Sequence, residues 1–263
     1  ASFFSIPLLR SVFSSQLKIT KSLIDKLINF QQLFFSNSLR VKELINKYDL
    51  TNTTEFGCIQ KFMLDEVFYS THYLEIANRI ENFSKSLNFN KFNSYFEIGG
   101  GFGSNIHFLL KNFKNIKKII YIDIVPNIYV GTQYLKNFFY GHVIDYLTTK
   151  KLKKIQFKGD NSLEIICIPP WEIEKIDCKI DHFHNAASFV EMPKDVIINY
   201  IKYIKKFNTE SVSLLSYSKY NPKTTIDPIS LGDFFDKKLA YNELPYIIPE
   251  LKPKFHYFVG KLN

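Results

Sequence analysis

The chain has 263 residues and a formal charge of +9, long enough to bury a full α/β core with a helical extension beside it. Its three cysteines, Cys58, Cys167 and Cys178, are too few and too scattered for a disulfide framework or a zinc site, and they suit a reducing, cytoplasmic setting. The positive charge is almost all lysine, with Arg10, Arg40 and Arg79 the only arginines; no Arg-rich helix, zinc-finger spacing or run of ~18 apolar residues occurs, so neither a nucleic-acid module nor membrane insertion is expected.

Residues 1–9 are apolar but lack a basic leader and are broken by Pro7 and then Arg10, which argues against a secretory signal. Residues 17–48 read as helix, because Leu23, Leu27, Phe30 and Phe34 recur at helical spacing; Asn37-Ser38 suggests a break. A loop over 51–54 follows, with Thr54 a candidate cap, and residues 58–86 again read as helix. No strand is expected before residue 94. From there strands and helices alternate, which predicts a parallel sheet with crossover helices. The expected strands are 94–98, 118–123, 163–168, 180–184, 212–217 and 254–260, and the expected helices are 103–113, 127–139, 194–206 and 230–240. Residues 1–90 form a helical cap region in this reading and 91–263 the α/β domain.

The chemistry concentrates at Tyr95-Phe96-Glu97-Ile98-Gly99-Gly100-Gly101-Phe102-Gly103. The glycines allow a sharp turn from strand to helix and let a ligand approach the backbone with no Cβ in the way. Their spacing is G-x-G-x-G, and Ser104 stands where a dinucleotide fingerprint would have its last glycine. Glu97 would be poorly placed beside a pyrophosphate, whereas it suits the ammonium of S-adenosylmethionine. Asp123 ends the second strand, where a carboxylate can accept from both hydroxyls of a ribose, and Ile124 follows at the same edge. The cofactor reading is therefore S-adenosylmethionine held by Glu97, Gly99, Gly100, Gly101, Gly103, Asp123 and Ile124. A plain turn would give the same glycine string, but not the two spaced acids.

These residues resemble the class I S-adenosylmethionine-dependent methyltransferases. Two further segments, Ile168-Pro169-Pro170-Trp171 and the run from Ile180 to Pro193, are similar to the sugar O-methyltransferase group of bacterial surface-polysaccharide loci, with Pro169 and Val190 as departures from that pattern. The resemblance covers residues 94–193. It implies a Rossmann-like sheet of seven strands with the last one antiparallel, an N-terminal helical cap, and methyl transfer to oxygen on a sugar or sugar-linked molecule in capsule or polysaccharide biosynthesis. A small anionic substrate would agree with the basic composition.

Polar groups leaving the fourth strand should face the transferred methyl. His184 is the candidate general base, since it is expected to open the loop; His182 is second, and Glu191 could orient the base or bind a hydroxyl. Asn185 is placed with the cofactor and Ser188 with the substrate. Asp181 and His182 could equally just end the strand, and Glu191 with Pro193 begin the next helix. Pro169 and Trp171 could wall the adenine, or Trp171 could be a core aromatic. Tyr69, His72 and Tyr73 could form a substrate-side lid, or a core stripe. Asp160, Asp177 and Asp181 lack ligand-like spacing, so no metal is expected. Three other readings stay open: methylation of a phosphoryl or phosphoramidate oxygen, a non-catalytic S-adenosylmethionine-binding partner protein, and RNA methylation. The last is disfavoured because the Asn/Asp-Pro-Pro-Tyr/Phe signature of base methylases is missing.

Overall fold

The structure, a computed structural model, describes residues 32–51, 61–245, 247 and 255–262. Residues 17–31 of the helix expected over 17–48, the Thr54 cap and Cys58 lie outside these residues. The chain is helical over 32–37 and breaks at Ser38, whose Oγ accepts from the Val41 N–H at 3.4 Å and caps helix α1 (Leu39–Lys47).

The helix expected over 58–86 is half wrong. Strands β1 (Lys61–Leu64) and β2 (Val67–Ser70) pair antiparallel as a hairpin. Asp65 and Glu66 sit at φ 49° and 64°, the two left-handed positions that a tight two-residue turn requires. The apolar run Val67-Phe68-Tyr69 is β-prone and fits that pleat better than a helix. Ser70 then caps helix α2 (Thr71–Phe83), accepting from the Tyr73 N–H at 3.3 Å.

The rest builds one sheet, with helices between its strands. In chain order it contains β3 (Ser94–Ile98), α3 (Ser104–Asn112), β4 (Lys118–Ile122), α4 (Asn127–Phe138), β5 (Val143–Ile144), α5 (Tyr146–Thr149), β6 (Glu164–Ile168), β7 (His182–Ala186), α6 (Lys194–Lys206), β8 (Ser211–Tyr217), β9 (Ala240–Glu243) and β10 (Phe255–Lys261). The strand order is β5-β6-β4-β3-β7-β8-β10-β9. All pairings are parallel except those of β10, which runs antiparallel to both β8 and β9. The expected Rossmann-like sheet with a reversed last strand is present, and the two-residue β5 adds an eighth strand at one edge. The helix expected over 230–240 is instead a 3₁₀ turn (Pro228–Phe234) followed by β9. Gly232 lies so close to Phe258 that a Cβ there would come within 2.7 Å of the ring.

β3, β4 and β6 are buried along their whole length, which is why Ile119–Ile122 and Ile165–Ile168 read as unbroken apolar runs rather than as alternation; β3 is buried as fully but carries Glu97 within it. Their side chains divide between two cores. Tyr95, Ile119, Tyr121 and Cys167 join Leu44, Ile80 and Phe108 on the face covered by α1, α2 and α3. Phe96, Ile120, Ile166 and Phe183 join Ile197, Ile201 and Ile204 of α6 on the other. The N-terminal helices thus share a core with the sheet. β3 has β4 on one side and β7 on the other, so the strand order reverses there and opens a crevice at the carboxyl ends of the strands. Among the described residues, no helix is long and apolar enough to cross a membrane.

Candidate functional site

The glycine run leaves β3 at that crevice. Gly99, Gly101 and Gly103 have φ of 75°, 58° and 86°, where a side chain is strained. A Cβ on Gly99 would lie 2.1 Å from Ser188 Oγ, while one on Gly101 would meet no atom within 4 Å, so Gly101 faces open space. Gly103 begins α3 without any side-chain cap, which leaves the first N–H groups of the helix to the loop and to whatever binds there. The loop is pinned from β4. Tyr121 donates its hydroxyl hydrogen to Gly101 O, and the Gly101 N–H donates to Asp123 Oδ2 at 2.7 Å. The Ile124 N–H donates to Asp123 Oδ1, also at 2.7 Å. Gly131 of α4 makes this possible, because a Cβ there would fall 2.2 Å from the Tyr121 hydroxyl and 2.9 Å from Gly101 O. Its only signal in the sequence is a glycine inside a helical pattern.

Glu97 lies under the loop, 1% exposed. Asn105 Nδ2 donates to its Oε1 at 3.1 Å, and its Oε2 has no hydrogen-bond partner. Burial pushes the carboxyl up to about 7, against the opposing pull of Asn105 and of the Arg79 guanidinium from α2, and with a further push from Asp123. Burial likewise raises Asp123, although three hydrogen bonds, from Gly101, Ile124 and Asn127, act the other way. Arg79, Asn105 and Asn127 were missed at the sequence level; Asn105 and Asn127 each sit in the first turn of a helix that follows an acid-bearing strand.

The histidines are not where they were expected. β7 runs to Ala186, two residues beyond the expected end, so His182 and His184 are held inside the sheet opposite Tyr95 and Glu97. His184 is 1% exposed and His182 is fully buried. Their hydrogen bonds form a chain with one direction. His184 Nδ1 lies 3.1 Å from the Ser213 carbonyl oxygen and must carry the proton; it also lies 2.8 Å from Ser213 Oγ. Ser213 Oγ then donates to His182 Nε2 at 2.8 Å, His182 Nδ1 donates to Ser211 Oγ at 2.9 Å, and Ser211 Oγ donates to Asp181 O at 3.0 Å. Burial lowers His182 to about 3 and His184 well below its ordinary value, with Arg79 adding to the latter, so both rings are neutral. Phe92 stacks on His182 at 4.7 Å. These rings are core elements that tie β7 to β8, and the base assignment is corrected accordingly.

The crevice itself is a cleft of about 380 Å³. Its lining brings Gly99, Gly101, Asp123, Ile124, Asn127 and Pro170 together with Ala187, Ser188, Glu191, Tyr200 and Tyr217. Asn185 is used up as scaffold: its Nδ2 donates to Ile98 O at 2.8 Å and to Ser188 Oγ at 2.6 Å, and its Oδ1 accepts from the Phe189 N–H at 3.0 Å. Ala187 holds a left-handed φ of 67°, the kind of local strain found where a turn is bent to serve a site. Tyr217, at the end of β8, donates to Glu191 Oε1 at 3.2 Å. Neither Tyr200 nor Tyr217 was singled out in the sequence.

The remaining candidates divide. Pro170 rather than Pro169 meets the cleft. Trp171 is 67% exposed, because the 3₁₀ turn Pro170–Lys175 buries Glu172 and Ile173 and turns the indole outward; the adenine wall assigned to it is corrected. Tyr69 packs on Phe62 in the hairpin, and Tyr73 is buried with its hydroxyl 2.7 Å from His107 Nδ1, so neither is a lid over the cleft. His72 does reach the loop, with Nε2 2.7 Å from Ser104 Oγ and its ring 5.6 Å from Phe102. Cys167 is buried and Cys178 partly so, both raised to about 12 by burial, which makes them inert. Among the described residues, no group of three or more His, Cys, Asp or Glu could hold a metal ion.

No family model and no curated protein matches the chain. Solved structures do resemble it. The mitomycin 7-O-methyltransferase MmcR aligns at 12% identity over 73% of this chain and 55% of its own, with a TM-score of 0.47. The chain therefore spans little more than half of that enzyme. The magnesium protoporphyrin IX methyltransferase of Synechocystis PCC 6803, solved with bound SAM, aligns at 10% identity over 72% of this chain and 79% of its own, with a TM-score of 0.46. A SAM-dependent methyltransferase from Leishmania major aligns at 12% identity over 72% of each chain, with a TM-score of 0.49. All three of these solved structures are methyltransferases, two of them named with SAM.

Proposed function

We propose that the cleft binds S-adenosylmethionine and that the protein transfers its methyl group to an oxygen of a small hydroxylated molecule. The observation that carries this reading is Glu97 Oε2, a buried carboxylate oxygen without a partner under a loop whose central glycine faces open space. Glu97 lies beneath the cleft rather than on its lining, and from there its charge would draw the cofactor ammonium to the loop above it. Asp123 would take the ribose hydroxyls with the lone pairs its two backbone donors leave free, and Ile124 and Pro170 would flank the adenine. The pyrophosphate of a dinucleotide would instead bring negative charge close to Glu97 and Asp123, which an unpaired buried acid opposes.

Bound there, the cofactor supplies an electrophilic methyl on a sulfonium. The acceptor oxygen must shed its proton as the new O–C bond forms and the S–C bond breaks. Glu191 is the cleft carboxylate left for that proton, since Asp123 already accepts from two N–H groups at 2.7 Å. His184, being neutral and inside the sheet, takes no part. A sugar acceptor and a place in surface-polysaccharide biosynthesis are proposed on the motif resemblance alone, and a cytoplasmic setting goes with them. The test is transfer of tritiated methyl from S-adenosylmethionine into a fractionated small-molecule extract. Label in a neutral hydroxylated product supports the reading. Cofactor binding with no labelled product favours a non-catalytic binding protein.

A further inference from the structure

The protein is strongly basic, yet its cleft is acidic. Asp123 and Glu191 are the charged residues among those that line it, and Asn127, Ser188, Tyr200 and Tyr217 supply the neutral polar groups. No lysine or arginine lines the cleft among the described residues. Nor do the ion pairs of the described residues include either carboxylate, although lysines elsewhere pair with Asp49, Glu81, Asp145, Asp160, Glu164, Asp177 and others. The lysine charge is thus spent on the surface and within other clusters. Glu191 lines the cleft from the segment that follows β7 and accepts from the Tyr217 hydroxyl at 3.2 Å. Such a pair presents a carboxylate acceptor and a phenol oxygen. It would draw an O–H or N–H donor and repel a phosphate.

We propose that the acceptor-binding half of the cleft, built on Glu191 and Tyr217, recognises a hydroxyl- or amino-bearing molecule that carries no negative charge. This rests on the methyltransferase reading and reverses the expectation of an anionic acceptor that the overall charge of +9 suggests. It also opposes a phosphoryl or phosphoramidate oxygen as the methylated atom, because that group would bring its own negative charge beside Glu191, and among the described residues no lysine or arginine lines the cleft, which leaves the cofactor sulfonium as the one positive charge facing it.

The experiment uses the whole protein saturated with S-adenosylhomocysteine, whose binding is first established by calorimetry. Binding of phenol, tyramine and phenyl phosphate is then followed by saturation-transfer NMR, in wild type and in Glu191→Lys. Phenol and tyramine should bind the wild type, with tyramine about tenfold tighter than phenyl phosphate, the size of one partly screened charge interaction. Glu191→Lys should reverse that order, and Tyr217→Phe should weaken phenol and tyramine without reversing it. Phenyl phosphate binding the wild type as tightly as tyramine would overturn the proposal, as would failure of both phenol and tyramine to bind. Absence of S-adenosylhomocysteine binding would defeat the cofactor reading alone; the probe series is then read on the protein without it, where the same two carboxylates line the cleft.

Discussion

Replacing Glu97 with glutamine should make the protein more stable above neutral pH while weakening its hold on the cofactor. The carboxyl is buried and pushed from 4.5 up to about 7. The native state therefore keeps a proton that the unfolded chain releases between those values. Native stability falls as pH rises through this window, and the loss is complete above about 7. At about 1.4 kcal/mol for each tenfold change, the gap corresponds to roughly 3 kcal/mol. Glutamine abolishes the titration and its Oε1 can still accept from Asn105, but its amide puts a donor where Oε2 had no partner, at a cost of about 1–2 kcal/mol. The expected net gain at pH 8 is about 1–2 kcal/mol, turning into a small loss near pH 5. Urea unfolding of both proteins at pH 5, 6.5 and 8 reads this directly, because the other titrating groups are common to both. A difference between the two that stays constant with pH would refute the placement of Glu97 as an unpaired buried acid. In the same variant, S-adenosylmethionine should bind about tenfold more weakly, the loss of one charge attraction through the loop.

On the acid side the sign is reversed. His107 and His182 are lowered to about 3 and His184 lies well below its ordinary value, so protons bind the unfolded chain first and stability should fall steadily below about pH 6.5 in a series of urea titrations. His184→Ala should cost about 2–4 kcal/mol by leaving Ser213 and a cavity unfilled, while the kcat of the surviving folded protein at low temperature stays near wild type; a drop of a hundredfold or more would restore His184 as the base. Gly99→Ala should abolish calorimetric cofactor binding, because its Cβ would sit 2.1 Å from Ser188 Oγ at φ 75°. Gly131→Ala should destabilise by about 1–3 kcal/mol and loosen the loop, seen as faster amide exchange at Gly101.

The sheet was legible because central parallel strands announce themselves. Ile119-Ile120-Tyr121-Ile122 and Ile165-Ile166-Cys167-Ile168 leave no polar face, and turn residues bound them. The glycine loop was legible for a related reason: positive φ at Gly99, Gly101 and Gly103 leaves few residues a choice. The hairpin at Asp65-Glu66 was hidden because its turn uses two acids where asparagine and glycine are the usual signal. The His184 assignment failed on two residues of strand length, since the strand was expected to end at His184 and instead continues to Ala186, which keeps that ring inside the sheet; His182 lay within the expected strand already. That difference was set by Ser211 and Ser213, which lie across the sheet and nearly thirty positions along the chain. Trp171 was misplaced because the rotation of a 3₁₀ turn is decided by Glu172 and Ile173 burying themselves, which spacing alone does not encode. The acid pair of the cleft is the reverse case. Its residues were visible, but the net charge pointed the other way.

The most direct test of the account is a calorimetric titration of S-adenosylmethionine and of NAD into the wild-type protein and into Asp123→Asn. Micromolar binding of S-adenosylmethionine is expected, with none of NAD and at least tenfold weaker binding in Asp123→Asn, whose amide sets a donor against the Gly101 or Ile124 N–H. Absence of heat with S-adenosylmethionine, or binding of NAD of equal strength, would contradict it.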